Sequence, residues 1–298
     1  MLRRHTAALA AACALAAAMS ACGGPQAKPV GQTLGATTST SPSTTPSTVP
    51  PTASATSDGP VTTTPTTSSS AAPAPTTTKA VPATGRVVVI DPGHNGGNAT
   101  HTAEINRQVP AGRGRTKPCN TTGTATQTGY PEHAFAWDLA VRLREILTAR
   151  GVRVIMTRAD NAGVGPCVDR RAAIGNESGA AAVVSLHADG STAAGAHGFH
   201  LAYSSPPLNA AQGEPSLRLA KAVRDKLVAA GFPTSNYAGK EGLSARDDLA
   251  GLNLTERPTV LVECGNMRDA AEAATLSSPA GRQRYAEGIA NGILGFLG

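Results

Sequence analysis

From Arg86 to the end of the chain, short β-branched runs alternate with amphipathic helical stretches, and this alternation limits the fold more than any other feature. Val87–Ile90 is the first run, closed by the turn residues Asp91-Pro92-Gly93. A helix is predicted over Glu132–Arg150, where Phe135, Leu139, Leu143, Ile146 and Leu147 share one face and Gly151 stops it. Further strands are expected at 152–157, 182–186, 198–203 and 259–263, and further helices at 169–178, 216–230 and 280–297. Strands alternating with helices imply an α/β fold, a mostly parallel sheet with helices on both faces, here in a single domain over 86–298. Ligand sites in such sheets lie at the carboxyl ends of the strands.

Three of the strands run out at that edge into residues able to hold a metal or move a proton. The first leads to His94 just past its turn, the third to His187 and the last to Glu263, while Glu132 opens the long helix on the same side. Two imidazoles and one carboxylate make the ligand set of many hydrolytic zinc sites, which leave a fourth position for water. A second carboxylate off the metal can then take the water's proton. Each residue also has a plainer reading. A histidine after a strand can be a hydrogen-bonded loop residue, Glu132 can simply complement the helix dipole, and His133 beside it is a rival ligand. Glu263 ends an apolar strand, where an unpaired carboxylate is costly to bury, which favours a functional role. His101, His197 and His200 read as surface or pocket-rim residues, and Arg158 and Arg171 as structural ion pairs or caps on strand ends, with contact to a substrate carboxylate as the alternative for either.

The N-terminal third is an address followed by a tether. Positive charge in Met1–Arg4 precedes an Ala/Leu-rich run from Ala7 to Ala18, which is shorter than the about 20 residues a spanning helix needs and suits a signal peptide. Residues 1–22 close with Met19-Ser20-Ala21-Cys22, which resembles a lipobox with Cys22 as the lipidated residue; Met19 departs from the usual Leu, and ordinary signal cleavage is the alternative. Both readings export the chain, to the outer face of the cell membrane as a lipoprotein or to the periplasm or cell wall. Residues 23–85 are nearly all Ser, Thr, Pro, Ala and Gly, too poor in apolar area to offset ordering entropy, and read as a disordered tether.

Charge and cysteine content narrow the partners. Residues 1–85 hold Arg3, Arg4, Lys28, Lys79 and Asp58, so the domain carries 22 of the chain's 26 basic residues against 19 of its 20 acidic ones, a net of +3. That falls far short of the basic patch nucleic acid demands. In an oxidising exterior Cys119 and Cys167, each after a Pro, can pair, leaving Cys264 as a small buried hydrophobe. No Cys-x-x-Cys spacing suggests thiolate ligation of zinc, and no Gly-x-Ser-x-Gly elbow suggests a serine hydrolase.

The block Val87-Val88-Val89-Ile90-Asp91-Pro92-Gly93-His94-Asn95-Gly96-Gly97 resembles the opening of the zinc N-acetylmuramoyl-L-alanine amidases of the amidase-3 type. Ser185-Leu186-His187-Ala188-Asp189 is similar to that family's Ser-x-His-Ala-Asn, and Val260-Leu261-Val262-Glu263-Cys264-Gly265-Asn266 to its Val-Leu-Val-Glu-x-Gly-Phe. Thr157-Arg158 and Arg171–Asn176 agree in order, so the resemblance spans 86–298. It implies a Zn²⁺ cofactor held by His94, Glu132 and His187, with Glu263 as the catalytic carboxylate. It also implies a peptidoglycan substrate cut between N-acetylmuramic acid and L-alanine. A lipid on Cys22 would add a membrane contact, and the chain is expected to act as a monomer. The departures are Asp189 in place of Asn, His200 where the family often has Glu, and a long insert over 98–129 that can reshape the mouth of the site. A zinc peptidase acting within stem peptides or cross-bridges would use the same ligands and remains an alternative, as does a non-catalytic wall-binding lipoprotein.

Overall fold

The computed structural model describes residues 86–298; the expected signal peptide, the lipid site at Cys22 and the tether over 23–85 lie outside the described residues. The first strand, β1 (Val87–Pro92), leads into a short turn of helix α1 (Thr102–Ile105) and a hairpin of β2 (Gln108–Gly112) and β3 (Arg115–Pro118). Helix α2 (Glu132–Ala149), strand β4 (Arg153–Met156), helix α3 (Val168–Glu177) and strand β5 (Ala182–Asp189) follow. The second half contains β6 (His200–Ser204), α4 (Glu214–Ala229), β7 (Leu243–Arg246), α5 (Ala250–Asn253), β8 (Thr259–Asn266), α6 (Ala270–Ser277) and α7 (Pro279–Leu297).

Six strands form one sheet in the order β4-β1-β5-β8-β6-β7. Every pairing is parallel except β6 with β8, which is antiparallel. The expected α/β architecture is therefore present, and all the predicted strands and helices are found with shifted ends. The hairpin, β7, α6 and the short helices α1 and α5 were not predicted. β2 contains Pro110 and Gly112, residues that argue against a strand, and β7 is a four-residue edge strand ending in Arg246.

Strict alternation along the central strands gives the sheet two different faces. Val88, Ile90, Val184, Leu186, Val260, Val262, Cys264 and Leu201 point into the main core, which also takes the apolar faces of α2, α4 and α7. Each fully buried Leu, Val or Ile there contributes about 1.5–3 kcal/mol over its exposed state. The intervening residues, among them Asp91, Ser185, His187, Thr259, Leu261 and Glu263, face a cleft instead. That second face is covered only in part, by α3, α5 and the hairpin. Asn253 of α5 donates to the Ala111 carbonyl at 2.9 Å, tying the hairpin down.

Candidate metal centre and cleft

At the carboxyl edge of the sheet, His94, Glu132 and His187 come together, with one candidate ligand atom from each lying within 4.8 Å of the others. His94 follows β1, His187 lies near the end of β5, and Glu132 is the first residue of α2, so three separate elements deliver the donors. His94 Nε2 lies 3.1 Å and His187 Nδ1 2.9 Å from the same oxygen, Glu132 Oε1. His133 is not part of this group; its Nδ1 lies 3.1 Å from the Asn161 side-chain oxygen.

The surroundings of the three residues hold their orientation. His94 Nδ1 donates to the Thr121 carbonyl at 2.9 Å, which leaves Nε2 as its free nitrogen. Glu132 Oε2 accepts from the Thr124 backbone N–H at 2.9 Å, and Oε1 from that of Ala188 at 3.2 Å. Thr121 and Thr124 belong to the 98–129 insert, so this segment does reach the site; no signal in the sequence had singled them out. The insert is anchored just ahead of them by a disulfide between Cys119 and Cys167, as expected, while Cys264 is free and buried.

The turn carrying His94 is clamped from below by two buried arginines. Arg171 donates to the Pro92 and His94 carbonyls at 2.7 and 3.0 Å, and Arg158 to the Pro92 carbonyl at 3.0 Å. They hold His94 at φ 56, a left-handed backbone that costs a non-glycine residue about 1–3 kcal/mol. Both arginines thus act as the strand-end caps expected of them. Arg171 also pairs with Asp91 at 2.8 Å. Burial alone would raise the Asp91 carboxyl, but Arg171 and the hydroxyls of Thr157 and Ser185 overcome it and bring it to about 2.

A folded value below the unfolded one stabilises the fold above about pH 4 and stops doing so as pH falls through about 2. With 1.36 kcal/mol per unit, the advantage of the parent over Asp91→Asn is expected to shrink by about 2–3 kcal/mol between pH 5 and pH 2. Urea unfolding of the two metal-free proteins across that range measures it, and a gap independent of pH would refute the account.

Electrostatics suit a cation. Burial would raise the Glu132 carboxyl, but the His94 charge and hydrogen bonds from both imidazoles hold it well below the usual carboxylate range. Burial disfavours a charged His94, and Glu132 more than compensates, raising its imidazole. An anionic carboxylate set between two imidazoles is a donor set for a divalent ion. Gly93 leaves room for the His187 ring: a Cβ there would stand 2.4 Å from that imidazole.

Glu263 is the residue directly across from His187 in the β5–β8 pairing, so it sits one strand away on the same face. It lines the cleft but belongs to no hydrogen bond through Oε2. Burial, then the Glu132 and Asp189 charges, push its carboxyl well above the ordinary carboxylate range. The cleft encloses about 310 Å³ and runs from the three donors past Thr121 and Lys117 to Leu249 and Leu252. Of the remaining candidates, His101 and His197 are exposed. His200 is not at the rim as expected: it is 2% exposed, because β6 pairs with β8 and carries it inward. Asp189 accepts from the Gly190 N–H at 2.7 Å.

Comparison with known proteins places this geometry in context. The family described as N-acetylmuramoyl-L-alanine amidase matches residues 88–295. The chain is 53% identical over 213 residues to the N-acetylmuramoyl-L-alanine amidase Rv3717 of Mycobacterium tuberculosis, covering 72% of this chain and 87% of that protein. It is 54% identical to the crystal structure of the amidase Ami1 from Mycobacterium smegmatis, with a TM-score of 0.69 over 72% of this chain and 97% of the other. Ami1 from Mycobacterium abscessus gives 55% and 0.69 over 72% and 99%. The amidase AmiC2 of Nostoc punctiforme, at 23% identity and a TM-score of 0.55 over 71% and 97%, shares the fold.

Proposed function

The chain belongs to the N-acetylmuramoyl-L-alanine amidase family, and from that premise we propose that its cleft hydrolyses peptidoglycan with zinc held by His94, Glu132 and His187 and with Glu263 as general base. The bond cut is the amide between N-acetylmuramic acid and the L-alanine of the stem peptide. The observation that carries the zinc reading is the convergence of three donor side chains within 4.8 Å at a cleft that also holds a buried, unpartnered carboxylate. When bound there, zinc would supply Lewis acidity, lowering the pKa of bound water to about 7 and polarising the amide carbonyl.

The chain's own residues do the rest. Thr121 fixes the tautomer and tilt of His94, and the Thr124 and Ala188 N–H groups hold the Glu132 carboxylate in place. Glu263 takes the proton of the attacking water and passes it to the departing L-alanine nitrogen. Its burial favours the protonated form that it holds between those two transfers. Water is the nucleophile, so no side chain becomes acylated. A peptidase acting within the stem would use the same donors; identity above 50% to amidases favours the muramoyl bond. A non-catalytic role is disfavoured because all four positions are filled.

Such an enzyme acts at the cell wall. We place the chain outside the cytoplasm, exported through residues 1–22 and held at the membrane by a lipid on Cys22, with 23–85 as the tether that lets the domain reach the wall as a monomer. Digestion of purified peptidoglycan with and without a chelator, followed by mass analysis, tests the reaction. Stem peptides with free L-alanine amino termini and sugars with intact lactyl groups are expected only with metal present. Products cut inside the stem would identify a peptidase instead.

A further inference from the structure

The reaction above leaves His200 unused, although it is the nearest unexplained imidazole in the sheet to the general base. In the antiparallel β6–β8 pairing His200 stands directly opposite Glu263, and directly opposite residues project from the same face with Cβ atoms about 5 Å apart. On its other side Glu263 is paired with His187. One row across three strands therefore reads His187, Glu263, His200. Phe199 and Leu201, the neighbours of His200 in sequence, point the opposite way into the main core.

The plain reading of a buried histidine is a core residue with its polar atoms satisfied. His200 does not meet it: its Nδ1 is buried without a hydrogen-bond partner, and so is Oε2 of Glu263. Each such atom costs about 1–3 kcal/mol, and here two fall on adjacent members of one row. The Tyr237 ring lies edge-on to the imidazole, with centroids 6.2 Å apart. Burial, together with Arg246 and against the pull of Asp189, holds the imidazole neutral, so it can donate or accept.

We propose that His200 is a positioning residue for Glu263, its imidazole linked through one bridging water to the buried Oε2 of the carboxylate, so that the other oxygen faces the scissile amide. The inference rests on Glu263 being the general base. It involves no proton transfer by His200 and no contact with the metal ligands.

The test compares the parent, His200→Ala and His200→Asn as metal-loaded proteins on a purified muropeptide. Misplacing a reacting group by about 1 Å costs about 100-fold. His200→Ala is accordingly expected to lower kcat by about 10- to 100-fold, with KM within about twofold and the metal content unchanged. The side-chain amide of His200→Asn reaches the Nδ1 position and is expected to recover most of that loss. A kcat for His200→Ala within about threefold of the parent overturns the proposal. So does equal loss in both variants that tracks their thermal unfolding midpoints, since that marks a packing role. Glu263→Gln in the same series separates the two levels. If it stays active, the base assignment itself fails; if it is inactive while His200→Ala turns over normally, only the positioning role fails.

Discussion

Glu263→Gln is expected to lose about 10²- to 10⁴-fold in kcat, the range general base catalysis supplies, while its zinc content stays at that of the parent. The two effects separate because Glu263 lies outside the group of three donors that come within 4.8 Å of one another. Glutamine keeps the shape of the side chain but cannot accept the water's proton. Stability should move the other way. Burial and the charges of Glu132 and Asp189 raise this carboxyl in the folded protein, and a raised carboxyl opposes folding at neutral pH. Metal-free Glu263→Gln should therefore melt above the metal-free parent, the trade expected where a site is built for chemistry at the expense of the fold. His187→Ala is the contrasting variant, losing both metal and turnover. Metal analysis, calorimetry and muropeptide kinetics on the three proteins read all of this. Turnover by Glu263→Gln at the parent rate would remove the general base.

The four principal residues were legible in the sequence for one physical reason: a parallel sheet brings strand ends to one edge. His94, His187 and Glu263 each follow an apolar run, and Glu132 stands at a helix start facing that edge. Residues whose role depends on pairing between distant segments were not legible. Whether His200 faces solvent or Glu263 is decided by the antiparallel register of β6 on β8, and nothing in Gly198-Phe199-His200-Leu201 encodes that partner. Thr124 acts through a backbone N–H and Thr121 through a backbone carbonyl, groups every residue carries, although the Thr121 hydroxyl also lies 3.2 Å from the same His94 nitrogen. The hairpin escaped notice because Pro110 and Gly112 interrupt its pattern; its place is secured by Asn253 and by Arg113, whose Nε donates to Asn253 at 3.0 Å, both outside any local signal. The amidase resemblance supplied the roles of the four residues; composition and periodicity supplied only their meeting place.

Gly93→Ala is expected to abolish metal binding at the concentrations that saturate the parent, and activity with it, while leaving the fold nearly intact. Gly93 lies outside the left-handed region, so its backbone accepts alanine without strain. The obstacle is a side chain. An added Cβ would stand 2.4 Å from Cε1, 2.6 Å from Nδ1 and 2.7 Å from Nε2 of His187, closer than real contacts allow. The backbone cannot retreat, because the Gly93 N–H is bonded to the Leu186 carbonyl at 2.9 Å and the Pro92 carbonyl before it is held by two arginines. The His187 ring must swing instead, away from Glu132 and His94. Loss of an outer-shell partner alone weakens a site about 10- to 100-fold, and displacing a donor should exceed that. Because the displaced group is one partly exposed imidazole and not core, the thermal midpoint of the metal-free protein should change little. Gly163→Ala serves as the control, since the nearest atom to its Cβ is 3.9 Å away. Zinc titration and melting of the three proteins decide the matter: a Gly93→Ala protein that binds zinc as tightly as the parent would show that His187 is not among the ligands.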